Sequence, residues 1–485
     1  MEQKNITQQK TFMGHPRVLA NLFGVEVWER FSFYGMSAIL AYYMYYPASR
    51  GGLGIAETTT MGVIGAYTGG IYFSALLGAW FADRVFGSER TLFYAAVVVM
   101  AGHITMALLP GVVGLSIGLP LIALGAGGVK ANASSMVGTL YKPGDHRRDA
   151  GFSLFYLGIY IGAVTGPLLT GILQVKMGFH YGFGLAAIGM AIGLAQYTFG
   201  RKNLPESAHV IHNPLTPDEK KKFITFGVGI VAALVLLFAT GIFNDKNIDL
   251  VMIGASIICT IVLFSTIMKD HEVSDIERNQ VKSFIPLYFG SVIFWILYYQ
   301  QTTVLTVFSD KQLNRSLFGI WEMPAAWIQS INPFFVLLLA AAFAKLWSSW
   351  GPKQPSTITK FATALFLAGI SFLMFTPIAS MGKNTAPLLY VIFVLFILSI
   401  AELLLSPIGL SISTKLAPKK YKTQMVALFF LSMSLGTALA GRVAKYYTEQ
   451  DAINYFIVLG VVSILSGVVL VVLRKPTQKL MGSIR

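Results

Sequence analysis

"RKNLPESAHVIHNPLTPDEKKK" (residues 201–222) is a polar stretch followed by two runs without a charge, "FITFGVGIVAALVLLFATGI" (223–242) and "LVMIGASIICTIVLFSTIM" (250–268). Each run has about the 20 apolar residues that an α-helix needs to cross roughly 30 Å of hydrocarbon. Six runs of this kind precede the polar stretch, near 21–46, 61–83, 91–109, 112–137, 151–174 and 182–200. Six more follow the pair, near 284–308, 326–348, 360–380, 387–413, 423–447 and 453–473. This pattern predicts an all-α polytopic membrane protein with fourteen transmembrane helices: six, an inserted pair, and six. The expected division is a six-helix bundle over 1–205, a linker with the inserted pair over 206–282, and a second bundle with a polar tail over 283–485. With little polarity to offer a solute, the inserted pair is expected at the periphery, against lipid.

Composition agrees. The 485 residues are 55% hydrophobic and 12% charged, with a mean hydropathy of +0.64. A soluble domain is about a quarter charged. The net charge of +15 raises the question of nucleic acid, but its distribution answers otherwise. Bases gather in "KPGDHRR" (142–148), "KKK" (220–222), "KLAPKKYK" (415–422) and "RKPTQK" (474–479), all on one side of a fourteen-span chain. The other side carries scattered bases, Arg50, Lys246, Lys311 and Lys383. This asymmetry is the positive-inside rule; it predicts a multi-pass protein of the cell membrane with both termini in the cytoplasm. The only cysteine, Cys259, excludes a disulfide framework or a cysteine metal site. The first twenty residues lack an apolar core and a cleavage site, so no signal peptide is expected.

Five ionisable residues fall deep in predicted spans: Glu26, Glu29, Arg30, Lys130 and Glu402. On an insertion scale each costs about 3 kcal/mol, on the order of 15 kcal/mol together before pairing. Such charges normally face a cavity and mark a substrate or proton path. Residues 26, 29, 30, 33 and 34 recur at helical spacing, so Glu26, Glu29, Arg30 and Tyr34 share one stripe. A cluster that neutralises itself merely to fix packing is the competing reading. Lys130 and Glu402, in widely separated spans, favour the path. Arg442 and Lys445, near a span end, are expected to snorkel.

Two six-helix halves are the architecture of the major facilitator superfamily, and "GAWFADRVFGSER" (78–90) resembles its loop motif. There Asp83 and Arg84 are expected to pair across neighbouring helix ends, with simple interfacial anchoring as the alternative. Within that superfamily, "EVWERFSFYG" (26–35) resembles the first-helix motif ExxERFxYYG of the proton-dependent oligopeptide transporter family. "DAGFSLFYLGIYIGA" (149–163), "SINPFF" (330–335) and "AELLLSPIGLSISTKLAP" (401–418) resemble further signatures of that family, and the inserted pair is typical of its bacterial members. The resemblance spans essentially the whole chain.

It implies that Arg30 and Lys130 hold the carboxylate of a short peptide, that Glu402 holds its α-ammonium group, and that Asn332 bonds near the amino end. Tyr34, Tyr72, Trp295 and Phe429 would line side-chain pockets, and Glu26 and Glu29 with Arg30 would answer to protons. The chain departs from the pattern at three places. Tyr160 replaces the asparagine of a GIN motif and would face the peptide in its stead. Ser37 replaces an arginine. In "FWILYYQQ" (294–301), Tyr298 and Tyr299 stand where relatives carry acids, one of which pairs with the lysine matching Lys130.

Other signals are weaker. "GAGGVK" (125–130) lacks the rest of a phosphate-binding loop and predicts close helix packing through small residues. His103 is expected to make a polar interhelical contact. No zinc-protease motif, nucleotide loop or Ser/His/Asp grouping is present in the sequence. The expected function is therefore proton-coupled symport of di- and tripeptides, with no enzymatic activity and no cofactor. The alternative is a related symporter, or a weakly coupled facilitator, of other amino-acid-like or anionic solutes. The expected partners are peptide, protons and the bilayer, with no nucleic acid; a monomer is expected.

Overall fold

The computed structural model describes residues 11–141, 147–211, 213–317, 319–482 and 484. Most of the basic segment 142–148 and the first ten residues lie outside the described residues.

In hydrocarbon every backbone polar group must be satisfied internally, so long apolar runs become helices. The helices are α1 (Val18–Tyr45), α2 (Glu57–Phe81), α3 (Ser88–Leu108), α4 (Gly111–Thr139), α5 (Arg148–Met177), α6 (Phe179–Gly200), α7 (Pro217–Ala239) and α8 (Ile248–Lys269). The second half contains α9 (Asp275–Tyr298), α10 (Val304–Lys311), α11 (Ile328–Trp350), α12 (Thr357–Ala379), α13 (Leu388–Lys415), α14 (Lys422–Ala444), α15 (Ala452–Val472) and α16 (Arg474–Met481). Among the described residues the only paired strands are two-residue hairpins, Thr11–Phe12 with His15–Pro16 and Ser316–Leu317 with Trp321–Glu322. Among the described residues, twelve helices are long and apolar enough to cross a membrane. α1, with 28 residues, has the length but carries the three charges, and α7 has 23 residues. The fourteen-span reading therefore stands.

One predicted span is not a single helix. The run 284–308 lies on α9, a 3₁₀ turn over Tyr299–Thr302, and α10. Gln300 explains how the break is tolerated: its Nε2 donates to Ile296 O at 3.1 Å and Ala440 O at 3.2 Å. Its Oε1 accepts from Thr303 and Tyr455 at 3.1 and 2.9 Å. A broken membrane helix needs such internal partners.

The chain forms two compact units, one of residues 1–39 and 74–244, the other of 40–73 and 245–485. In the first, helices approach through small residues. A Cβ on Gly78 would lie 2.5 Å from Gly128 Cα, and one on Gly125 would lie 2.6 Å from Ala95 O. "GAGG" thus lets α4 close on α2 and α3, as predicted. A core of Leu19, Leu22, Leu92, Met136 and Tyr197 binds α1, α3, α4 and α6.

In the second unit, the ends of α1 and α2 pack with α10 and α14. Tyr45 donates to Asp310 at 2.8 Å and Tyr46 at 2.5 Å. Lys311 joins Glu57 at 2.6 Å and Glu449 at 3.1 Å. The inserted helix α8 is largely uncovered, with 11% of its most apolar window buried, as expected of a peripheral helix. It nevertheless has a polar seam that its uncharged run conceals. Ser256 bonds Ser434 at 2.9 Å and Thr260 bonds Tyr288 at 2.7 Å. Buried Asp249 lies 3.0 Å from Lys445 and 3.6 Å from Arg442. Those two bases pair rather than snorkel.

Candidate substrate and proton site

In the first unit, helical spacing sets Glu26, Glu29 and Arg30 on one face of α1, and all three are buried, at 2%, 0% and 5% exposed. Arg30 Nε donates to Glu26 Oε1 at 2.8 Å and lies 2.9 Å from Glu29 Oε2. The second contact is an ion pair without hydrogen-bond geometry. The terminal guanidinium nitrogens make no hydrogen bond among the described residues. Lys130 on α4 is close enough for its charge to act on Glu29, and Tyr34 close enough to act on Arg30. With both acids ionised, two negative and two positive groups share this low-dielectric pocket, so the set is neutral.

α5 brings its backbone onto this part of α1 through glycine. A Cβ on Gly162 would clash with Val27 O and lie 2.7 Å from Phe31 N and 2.8 Å from Arg30 Cβ. Tyr160 sits two residues from both Gly158 and Gly162, on a different face of α5 from the one that touches α1.

In the second unit, a continuous chain of aromatic and amide groups links three predicted site residues, Tyr72, Trp295 and Asn332. The Tyr72 hydroxyl meets that of Tyr299. The Tyr299 ring lies 5.8 Å from Trp295, which lies 5.1 Å from Tyr298. Tyr298 donates to Asn332 Oδ1 at 3.0 Å, and Asn332 Nδ2 donates to Ser399 Oγ at 2.9 Å. Glu402 stands one helical turn beyond Ser399 on α13. Phe429 on α14 joins Trp295 through two serines: its carbonyl accepts from Ser432 Oγ at 2.6 Å, Ser432 bonds Ser291 at 2.7 Å, and Ser291 Oγ accepts from Trp295 Nε1 at 3.1 Å. Its ring covers Gly409, where a Cβ would meet it.

Sequence reasoning missed some polar clusters. Glu89, wholly buried, is 2.6 Å from Arg201 Nε and 3.4 Å from His209 Nδ1. The Arg84 partner is Glu219, at 2.8 Å, while Asn213 N and Leu215 N donate to the carbonyls of Asp83 and Arg84 at 3.0 and 3.2 Å. The loop motif thus docks the polar linker. The signal was the unmatched acid in "GSER". His103 is buried with neither ring nitrogen hydrogen-bonded, so the expected polar contact is not made.

The sequence profile of the PTR2 family, described as the POT family, matches residues 89–461. The chain is 39% identical to "Uncharacterized transporter YclF" of Bacillus subtilis (strain 168), over 98% of this chain and 97% of that one. It is 36% identical to "Di-/tripeptide transporter" of Lactococcus lactis subsp. cremoris, over the whole of both. The solved structure of "peptide transporter POT in complex with sulfate" superposes with a TM-score of 0.92 at 40% identity, covering 98% of this chain and 97% of that one.

Proposed function

The chain belongs to the POT family, and from that premise we propose that it carries di- and tripeptides into the cell together with protons, by alternating access. The observation that carries this reading is the buried Glu26–Arg30–Glu29 cluster with Lys130 beside it. A proton on either acid leaves the neutral set with a net positive charge and loosens the hold on Arg30. Its terminal nitrogens then take a substrate carboxylate in the two-pronged geometry that a guanidinium suits and an ammonium does not. Lys130 adds the second positive charge.

Glu402 takes the α-ammonium group, so a zwitterion meets opposite charges at its two ends. Asn332, held at both its amide atoms by Tyr298 and Ser399, keeps one proton and one lone pair for the amino end of the peptide. Tyr34, Tyr72, Tyr160, Trp295 and Phe429 form the walls for side chains, since aromatic faces accept varied shapes. The bundles 1–205 and 283–485 act as the transporting halves, with 206–282 as the insert. The protein works as a monomer in the cell membrane with both termini cytoplasmic, and performs no covalent chemistry.

A second reading, a weakly coupled facilitator of other amino-acid-like anions, draws on the hydroxyl contact of Tyr299 with Tyr72, where the family motif has an acid. Uptake of labelled dialanine into vesicles separates the two. Proton-coupled symport concentrates the peptide under an inward proton gradient, whereas a facilitator only equilibrates it.

A further inference from the structure

In the second unit, where α11 and α13 end and α12 begins, a cavity of about 360 Å³ opens between the three helices. Its walls include Trp347, Gln354, Thr357, Lys360, Ser411 and Lys415. Lys360 is only 8% exposed. Its ammonium lies 4.1 Å from the Trp347 ring centroid and donates to Gln354 Oε1 at 2.6 Å. Neither partner carries a negative charge. Lys415 is exposed, its charge opposes that of Lys360, and it makes no hydrogen bond or ion pair among the described residues.

The surrounding chain supplies no counter-charge of its own. Between Met323 and Thr448 the sequence contains a single acid, Glu402, which stands about one and a half turns along α13 before Pro407, the nearest cavity-lining residue. Lys420, a few residues beyond α13, shows the contrast: it pairs with Asp270 and Glu272, both at 2.8 Å. A buried ammonium without a carboxylate is costly, and a second ammonium beside it adds repulsion. The first turn of α12, a 23-residue helix, contributes Thr357 and Lys360 to the cavity wall, which places the positive end of the helix dipole there. An anion from outside removes all three penalties at once.

We infer that this cavity binds a phosphate group between Lys360 and Lys415, presented by an anionic lipid headgroup or free in solution. The hydroxyls of Thr357 and Ser411 are available as further donors. Trp347 and the partly exposed Trp350 are residues of the kind that gather at the headgroup level. Basic pockets between membrane helices at that level take phosphate headgroups.

The test uses full-length protein in detergent, stripped of lipid, with its melting temperature followed as phosphatidylglycerol, phosphatidylcholine or inorganic phosphate is added. A ligand that binds only the folded state raises the melting temperature. Phosphatidylglycerol or inorganic phosphate should do so, with the half-saturating concentration rising about fivefold in Lys415→Ala and again in Lys360→Gln, as the loss of about one lysine–anion contact each predicts. Lys360→Arg should retain binding, and Lys420→Ala should leave it unchanged. A shift with inorganic phosphate identifies a free anion as sufficient; a shift with phosphatidylglycerol alone identifies the lipid. Lys415→Ala removes an exposed side chain and so reports on the site even if Lys360→Gln does not fold. Equal stabilisation by phosphatidylcholine, no stabilisation by either phosphate source, or unchanged affinity in Lys415→Ala overturns the assignment.

Discussion

Tyr72 and Tyr299 meet hydroxyl to hydroxyl, joining α2 to the first residue of the break between α9 and α10. A phenol holds this junction without bringing a charge into it, at the place where the family motif has a carboxylate. On α1, the charge of Lys130 acts on Glu29.

Tyr299→Phe should therefore cost about 1 kcal/mol of stability, the net worth of one hydrogen bond, and leave gradient-driven uptake in place. Adding Tyr72→Phe should cost little more, because the two hydroxyls act as a pair. Thermal unfolding of the single and double variants checks this. Loss of accumulation in Tyr299→Phe, with exchange of peptide for peptide intact, would place part of the coupling at the break.

Glu402→Gln keeps the shape of the side chain and removes its charge. If it anchors a substrate ammonium, binding should weaken by about 2–5 kcal/mol. The native protein should already discriminate against a blocked amino terminus. Competition with labelled dialanine is the measurement, and N-acetylated dialanine competing as well as the free peptide would remove Glu402 from this role.

Gly162→Ala should destabilise the contact of α5 with α1 by about 1–3 kcal/mol, the usual cost of overpacking. The added methyl would fall against Val27 O and Phe31 N, both backbone atoms that cannot swing aside. Gly184→Ala, where nothing lies within 4 Å, is the control. Equal melting temperatures for the two variants would show that α5 gives way without cost.

Asp270, between α8 and α9, is held below the usual carboxylate range by the hydrogen bond from Lys420, then by those from Tyr421 and the Glu272 amide. Because the folded value lies below the unfolded one, this contribution is complete above the ordinary carboxylate range and is lost as pH falls toward the depressed value. Amide exchange at Glu272, whose N–H donates to Asp270 at 2.9 Å, should lose protection on acidification through that window. Lys420→Ala should move the loss to higher pH; an unchanged profile would mean the exposed pair is screened out.

Much of the fold was legible because apolar runs of span length admit few alternatives to a membrane helix. The break at Tyr299–Thr302 was not, since it depends on Gln300 reaching carbonyls and hydroxyls on α9 and α14 and near the start of α15, contacts that no local pattern announces. Of the site, the α1 cluster was readable from spacing alone, whereas Asp249 escaped notice by standing one residue outside an uncharged run. The chain from Tyr72 to Ser399 needed tertiary structure, because its members come from four different helices and the break that follows α9.

The central claim is that proton coupling resides in the buried acids of α1, and dialanine transport by the native protein beside Glu26→Gln and Glu29→Gln tests it most directly. Vesicles holding the native protein should concentrate labelled dialanine under an inward proton gradient. Glu29→Gln fixes a neutral side chain beside Arg30 and Lys130, so it should still exchange peptide for peptide at equal pH while failing to accumulate it. Absence of gradient-driven accumulation in the native protein, or normal accumulation by both glutamine variants, would contradict the account.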